Sequence, residues 1–263
     1  MARSHRPLPY LPVGKGGLML LLALGVRCGW IRPPSPTLST VPSPTAWELP
    51  IASHPVRIGI DPTAQRAVVL SRGPLGPAER PRAQGTVTLL DLDARRVIST
   101  ARVGLDPTAL AFDPIADLLF IANRGIPEEG VPGTVTILEA SSGKVLRDVP
   151  LGIEPTALGW AGHGMVLVAV REALSAPGRV ILLDGRTGVR QAEIPVGVYP
   201  SDIAVDPSGD RTWVANFLSN TVDEIDLVQR RVQRTLRLGP EPGTLARLAL
   251  DPGMGMLFAM AYP

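Results

Sequence analysis

An arginine opens three successive loops of this chain, Arg72, Arg124 and Arg171, each at the end of a strand-like run. The aligned positions farther along are Phe217 and Tyr262. Arg57, Asp202 and Arg247 stand close to the turns that precede other apolar runs. A guanidinium offers a planar fork of donors that matches carboxylate or phosphate. Several of them around one opening, with an aromatic beside them, would suit an anionic ligand. The plainer alternative is compositional: with 24 Arg against 2 Lys, a GC-rich genome would decorate any solvated loop with arginine.

Other chemistry is sparse. His5, His54 and His163 form no pair with metal-ligand spacing. His54 is the one nearest the arginines, as an axial or metal ligand or as a solvated loop histidine. Ser201 lacks a nearby histidine and a nucleophile-elbow pattern. Asp91, Glu139, Asp184 and Asp226 recur at one place in each repeat, which fits turns better than a single catalytic centre. No catalytic set, metal or cofactor is expected from these residues.

What must position the arginines is a repeat. Gly104-Leu-Asp-Pro107-Thr-Ala-Leu-Ala-Phe-Asp113-Pro114 returns as Gly197-Val-Tyr-Pro200-Ser-Asp-Ile-Ala-Val-Asp206-Pro207, with looser copies from Gly152 and Gly239. The copies lie 42 to 48 residues apart. Each unit reads as four short strands: one after the Gly-x-x-Pro turn, a second after an Asp-Pro turn, a β-branched third, and a fourth that alternates apolar and polar residues. Four-stranded units of this length predict an all-β propeller. A solenoid of β-arcs is the alternative. Turns alternate between two faces in such a blade. The long second-to-third loops (72–84, 124–132, about 171–177, and only 217–219) therefore share a face with the Gly-x-x-Pro turns, and long loops on a rigid scaffold are where binding resides.

Composition agrees. Apolar residues make up 45% of the 263, enough for a core, while aromatics at 4% leave Val, Leu, Ile and Ala to fill it. The 27 Gly and 28 Pro, spread between the runs, read as tight turns. The net charge of +2 misleads. Residues 1–32 hold Arg3, Arg6, Lys15, Arg27, Arg32 and no acid, so the remainder carries −3 and is no nucleic-acid binder by bulk charge.

Residues 1–28 read as an export signal, with Gly16–Val26 as its apolar core, too short to span a bilayer comfortably. Export to the periplasm or cell surface is the expectation. A membrane anchor would come only through lipidation of Cys28, the single cysteine, where Arg27 stands in place of the usual small residue. Residues 29–46 form a Pro/Ser/Thr linker. The repeats occupy 47–263, in blades at about 55–104, 105–152, 153–197, 198–239 and a partial 240–263.

Trp213-Val-Ala-Asn216, Ser219-Asn-Thr-Val222 and Ile225-Asp226, with Phe120-Ile-Ala-Asn123 in an earlier unit, resemble the YVTN-type β-propeller repeat. The first unit (Val68–Ser71) and the fifth (Phe258–Ala261) depart from it. The resemblance implies an exported propeller akin to surface-layer proteins and lactonases, and does not imply one activity. Four full units and a partial fifth make either a five-bladed ring with a thin closing blade or a fragment of a larger ring. Ala46–Ala52 reads as an outer strand that would help to close it. The expected role is non-enzymatic binding of a small anionic ligand or a protein partner on the long-loop face. A lactonase-like hydrolase, drawing on Asp202, Asn123, Asn216, Glu172 and His54, and a haem-associated redox partner are the alternatives.

Overall fold

A computed structural model describes residues 19–23, 48–61, 65–76, 83–238 and 244–262. Cys28, the linker 29–46 and the Gly239–Pro242 turn lie outside the described residues. Within them the chain is all β. The first strand, β1 (Met19–Ala23), precedes the repeats in the sequence. Blade 1 comprises β2 (Pro55–Asp61), β3 (Arg66–Ser71), β4 (Thr86–Asp91) and β5 (Arg96–Arg102). Blade 2 comprises β6 (Pro107–Asp113), β7 (Leu118–Asn123), β8 (Thr134–Glu139) and β9 (Val145–Pro150). Blade 3 holds β10 (Glu154–Trp160), β11 (Met165–Arg171), β12 (Pro177–Asp184) and β13 (Arg190–Val198). Blade 4 holds β14 (Pro200–Val205), β15 (Arg211–Asn216), β16 (Thr221–Asp226) and β17 (Arg231–Arg237). Each blade is one antiparallel sheet in sequence order. A hairpin of β18 (Thr244–Asp251) and β19 (Met256–Tyr262) begins a fifth.

The strand pattern follows from which faces are covered. The second strand β7 is buried along its whole length, and those of blades 1, 3 and 4 are buried except at their ends. The outermost strand β17 alternates exposed and half-buried residues, as its Arg-Val-Gln-Arg-Thr-Leu-Arg sequence requires. Strand ends are fixed by carboxylates: Asp113 accepts from the backbone N–H of Ile115 and Ala116, both at 3.0 Å. Asp91 and Asp226 accept from Ala94 and Gln229 in the same way, at 2.8 and 2.7 Å. The recurring acids at the end of the third strand thus build turns.

Blades mesh by laying large apolar side chains on small ones. A Cβ on Gly59 would stand 2.5 Å from Leu110, and one on Gly159 would stand 2.8 Å from Val205. The glycine of the repeat also has a packing cause. A Cβ on Gly104 would meet Asn123 Cγ at 2.6 Å, and one on Gly197 would meet Asn216 Cγ at 2.7 Å. Gly152, whose blade has Val170 at the asparagine position, faces open space. Glycine and asparagine therefore come as an interlocked pair. The buried amides then donate across the sheet, Asn123 to Thr134 and Thr136, Asn216 to Thr221 and Asp223.

The ring is open. Ile58 and Ile60, at the register of Leu110 and Phe112, are 64% and 60% exposed because no described blade precedes the first. Three details differ from the sequence reading. Residues 48–52 form no strand; Pro50 removes a ladder donor, and Leu49 instead packs against Ala67, Val69 and Leu90. Met19–Ala23, read as signal core, pairs parallel with Met256–Met260, an open edge whose N–H and C=O groups need partners. In blade 5 the structural counterpart of the motif proline is Leu245 rather than Pro242, because the bulge lies between Leu245 and Arg247.

Candidate functional site

Two turns of each of blades 1 to 4 lie together at the mouth of the open ring. One is the Gly-x-x-Pro turn, and its residue before proline is His54, Asp106, Glu154 or Tyr199. The other is the start of the second-to-third loop, at Arg72, Arg124, Arg171 or Phe217. The backbone ties them together: Arg72, Arg124 and Phe217 donate their N–H to the carbonyls of His54, Asp106 and Tyr199. His54, Asp106 and Tyr199 hold φ near +50 to +57, in the left-handed region.

The side chains then link into a girdle that crosses blade boundaries. Arg72 Nε lies 2.8 Å from Asp106 Oδ1, and Arg124 Nε donates to Asp106 Oδ2 at 2.5 Å. Arg124 Nη1 reaches Glu154 Oε1 at 3.5 Å, and Arg171 Nε donates to Glu154 Oε2 at 3.0 Å. The Arg171 guanidinium lies 4.6 Å over the Tyr199 ring, and Tyr199 meets Phe217 with centroids 5.4 Å apart, tilted 45°. Asp106 and Glu154 are buried, whereas Arg72 and Arg124 stay about two-fifths exposed, at 36% and 41%. Burial alone would lower the pKa of Arg124; the carboxylates of Asp106 and Glu154, with Glu128 beyond them, outweigh it and raise the pKa above the usual guanidinium value.

A second group sits beside the girdle. Arg247 Nη1 lies 4.0 Å from Asp202 Oδ1, and Asp202 Oδ2 accepts the backbone N–H of Leu248 at 2.9 Å. Burial raises the pKa of Asp202 against that hydrogen bond and the attraction of Arg247 and Arg57. Burial, then repulsion from Arg247, lowers the pKa of Arg57, and Asp202 only partly restores it.

A cavity of about 390 Å³ opens between the two groups, lined by Arg57, Arg72, Arg124, Arg247, Tyr199 and Phe217, with Glu154 the one acid in its wall. Five of the seven residues read from the sequence therefore come together. Two do not line it. Arg171 faces a separate cavity of about 270 Å³ beside Glu172 because Glu154 and Tyr199 hold it aside. Asp202 acts from behind, through Arg247 and Leu248. The sequence reading missed Asp106, Glu154 and Tyr199, whose common signal is their place before the motif proline.

Other candidates resolve into structure. Asn123 and Asn216 are 1% and 0% exposed and give their amides to the sheet, which removes them from a catalytic set. Ser201 Oγ is within reach of two backbone carbonyls, Ala215 at 3.3 Å and Leu245 of the next blade at 3.0 Å. Thr108 and Thr156 make the same cross-blade contact, to Pro155 and Pro200. A larger cavity of about 760 Å³ lies on the opposite face, bounded by Trp160, His163 and Arg186 together with Asp113, Asp184 and Asp206. Asp113 and Asp184 cap their own turns there. Among the described residues no group of three or more His, Cys, Asp or Glu is placed to hold a metal ion.

No family model matches the chain, and no curated protein matches it. Solved structures do. The β-propeller domain of Cps50 (Swd1) from Myceliophteria thermophila is 16% identical with a TM-score of 0.60, over 81% of this chain and 64% of that one. Hydrazine synthase of Kuenenia stuttgartiensis is 16% identical at TM-score 0.60, over 78% and 54%. A functionally unknown protein from Desulfotomaculum acetoxidans is 17% identical at TM-score 0.60, over 78% and 62%. The chain thus spans less than two thirds of each of these neighbours. At such identity the likeness speaks for fold alone: this is an all-β chain of propeller blades arranged as an open ring.

Proposed function

We propose that this chain is an exported, non-enzymatic binding propeller of YVTN type, working in the periplasm or at the cell surface, that captures a small anionic ligand at its channel mouth. One observation carries the reading: the 390 Å³ cavity has four arginines and a single carboxylate in its wall. Its size falls in the range of small-molecule sites. Three arginines of the girdle are held by Asp106 and Glu154, with Glu128 near Arg124, and among the described residues Arg57 and Arg247 share Asp202. The Arg57, Arg247 and Asp202 group keeps a surplus positive charge that an anion would neutralise. The test is calorimetric titration with succinate and with inorganic phosphate. Binding that weakens tenfold or more in Arg57→Ala/Arg247→Ala, and is unmoved by Arg186→Ala on the far face, supports the reading. Absence of heat with every anion, or equal loss in Arg186→Ala, overturns it.

A second reading has one observation in its favour. Asp202 is a half-buried carboxyl whose pKa is raised by desolvation, beside two arginines, the setting of a general acid in a lactonase-like hydrolase. Turnover of a lactone panel, lost in Asp202→Ala, would support it; a wild-type chain without turnover would end it.

A further inference from the structure

The cavity has more structure than a basic patch, and its walls differ in kind. Arg72 and Arg124 stand on the blades 1 and 2 side, held through Asp106 and Glu154. Arg57 and Arg247, close enough for their charges to repel, form a second cationic end beside Asp202. Between and beside them blade 4 contributes Tyr199 and Phe217. The girdle arginine position becomes aromatic there, as it also does at Tyr262 in the fifth repeat, and the residue before proline changes from acid to tyrosine in blade 4. Tyr199 already carries Arg171 on its ring at 4.6 Å, which holds it against Phe217. Phe217 is half-buried and lines the cavity with no cation on its ring among the described contacts.

From this arrangement, and resting on the anion-binding reading above, we infer that the preferred ligand is a planar, unsaturated or aromatic dianion. One anionic head meets Arg72 and Arg124, the other meets Arg57 and Arg247, and the planar body lies against Phe217. Two separate pairs of guanidiniums, Arg72 with Arg124 and Arg57 with Arg247, set two heads rather than one. Guanidinium forks accept carboxylate and phosphate heads alike, so the body, and not the head chemistry, is what the aromatic wall selects. A face of Phe217 open to the cavity stacks on a planar body and gains little from a flexible aliphatic chain. Arg171, tied to Glu154 and Tyr199, is a positioning residue that keeps the wall upright.

The probes are terephthalate as the planar dianion, adipate as an aliphatic dianion and benzoate as a planar monoanion, titrated into the purified chain by calorimetry. Terephthalate is expected to bind at least tenfold more tightly than adipate and than benzoate. Phe217→Ala should bring terephthalate down to the affinity of adipate while leaving adipate within twofold. Phe217→Tyr should restore the preference, which a merely structural role for Phe217 would not do. Equal affinity for terephthalate and adipate in the wild type overturns the inference and leaves the anion reading standing. Equal affinity for terephthalate and benzoate overturns the two-headed part. No binding of any of the three defeats both.

Discussion

Asp106 is the place where the girdle can be tested by one atom. Asp106→Asn removes a charge that is 0% exposed and serves two arginines, Arg72 at 2.8 Å and Arg124 at 2.5 Å. Asparagine tolerates the positive φ of 50° at this position, so the backbone need not move. Breaking a fully buried pair costs roughly 3–5 kcal/mol. Here both arginines are about two-fifths exposed, water takes up part of the loss, and Arg124 retains Glu154. The expected destabilisation is therefore about 1–3 kcal/mol. In a chain of this size that lowers Tm by roughly 2–10 °C. Ligand affinity should move the other way. Removing a unit negative charge about 8 Å from an anion, at an effective dielectric of about 20–40, is worth on the order of 1–2 kcal/mol, or a five- to thirty-fold gain in affinity. Thermal melts give the first quantity and calorimetry with terephthalate gives the second. A variant that is less stable and binds more weakly would show that Asp106 organises the mouth rather than competing with the ligand. One that is unchanged in both would refute the girdle.

Three more substitutions test other contacts of the fold. The folded-state pKa of Asp202 is raised, chiefly by burial, so its contribution is fullest below the unfolded carboxyl pKa and declines as pH rises through the folded value. Asp117 behaves oppositely: burial would raise its pKa, but hydrogen bonds from Ser141 and Arg66 lower it, so its contribution is present at neutral pH and is lost as pH falls through the folded value. Urea melts should accordingly show Asp202→Asn gaining stability relative to wild type as pH rises from 4 to 7, and Asp117→Asn losing it over the acidic part of that range; a gain for both would contradict the assignments. Gly104→Ala should cost about 1–3 kcal/mol, because its Cβ would stand 2.6 Å from the buried Asn123 Cγ. If Gly104→Ala in an Asn123→Ala background costs as much as it does alone, the interlock is not the reason for the glycine.

The fold could be read from the chain because its signal is local and repeated. Gly-x-x-Pro, the Asp-Pro turn and the β-branched third strand each act within one blade, and each copy corrects the others. The site was half legible for the complementary reason. Arg72 and Arg124 announce themselves at the start of long loops, but their counter-charges, Asp106 and Glu154, come from the next blade, dozens of residues along, in the guise of ordinary turn residues. Nothing near Arg72 in sequence says that it is paired. Asn123 and Asn216 misled in the opposite sense. They look like polar residues near a channel, and only packing reveals that they fill the space their glycines leave. Nor does the sequence show that Met19–Ala23 pairs along the open edge of β19.

The hydroxyl that follows the motif proline has a mechanical consequence. Thr108, Thr156 and Ser201 each reach a backbone carbonyl of the next blade, fastening blade 2 to 3, 3 to 4 and 4 to 5. Blade 1 has Val56 at that place, so its hold on blade 2 rests on apolar contact and on the Arg66–Asp117 and Arg72–Asp106 ion pairs instead. In a linear array of repeats, cooperativity is set by the coupling between neighbours. Three boundaries here carry a salt-insensitive rivet and the first depends partly on charge. Raising ionic strength would therefore loosen the array at one chosen seam, letting blade 1 unzip as a separate unit while blades 2 to 5 still melt together.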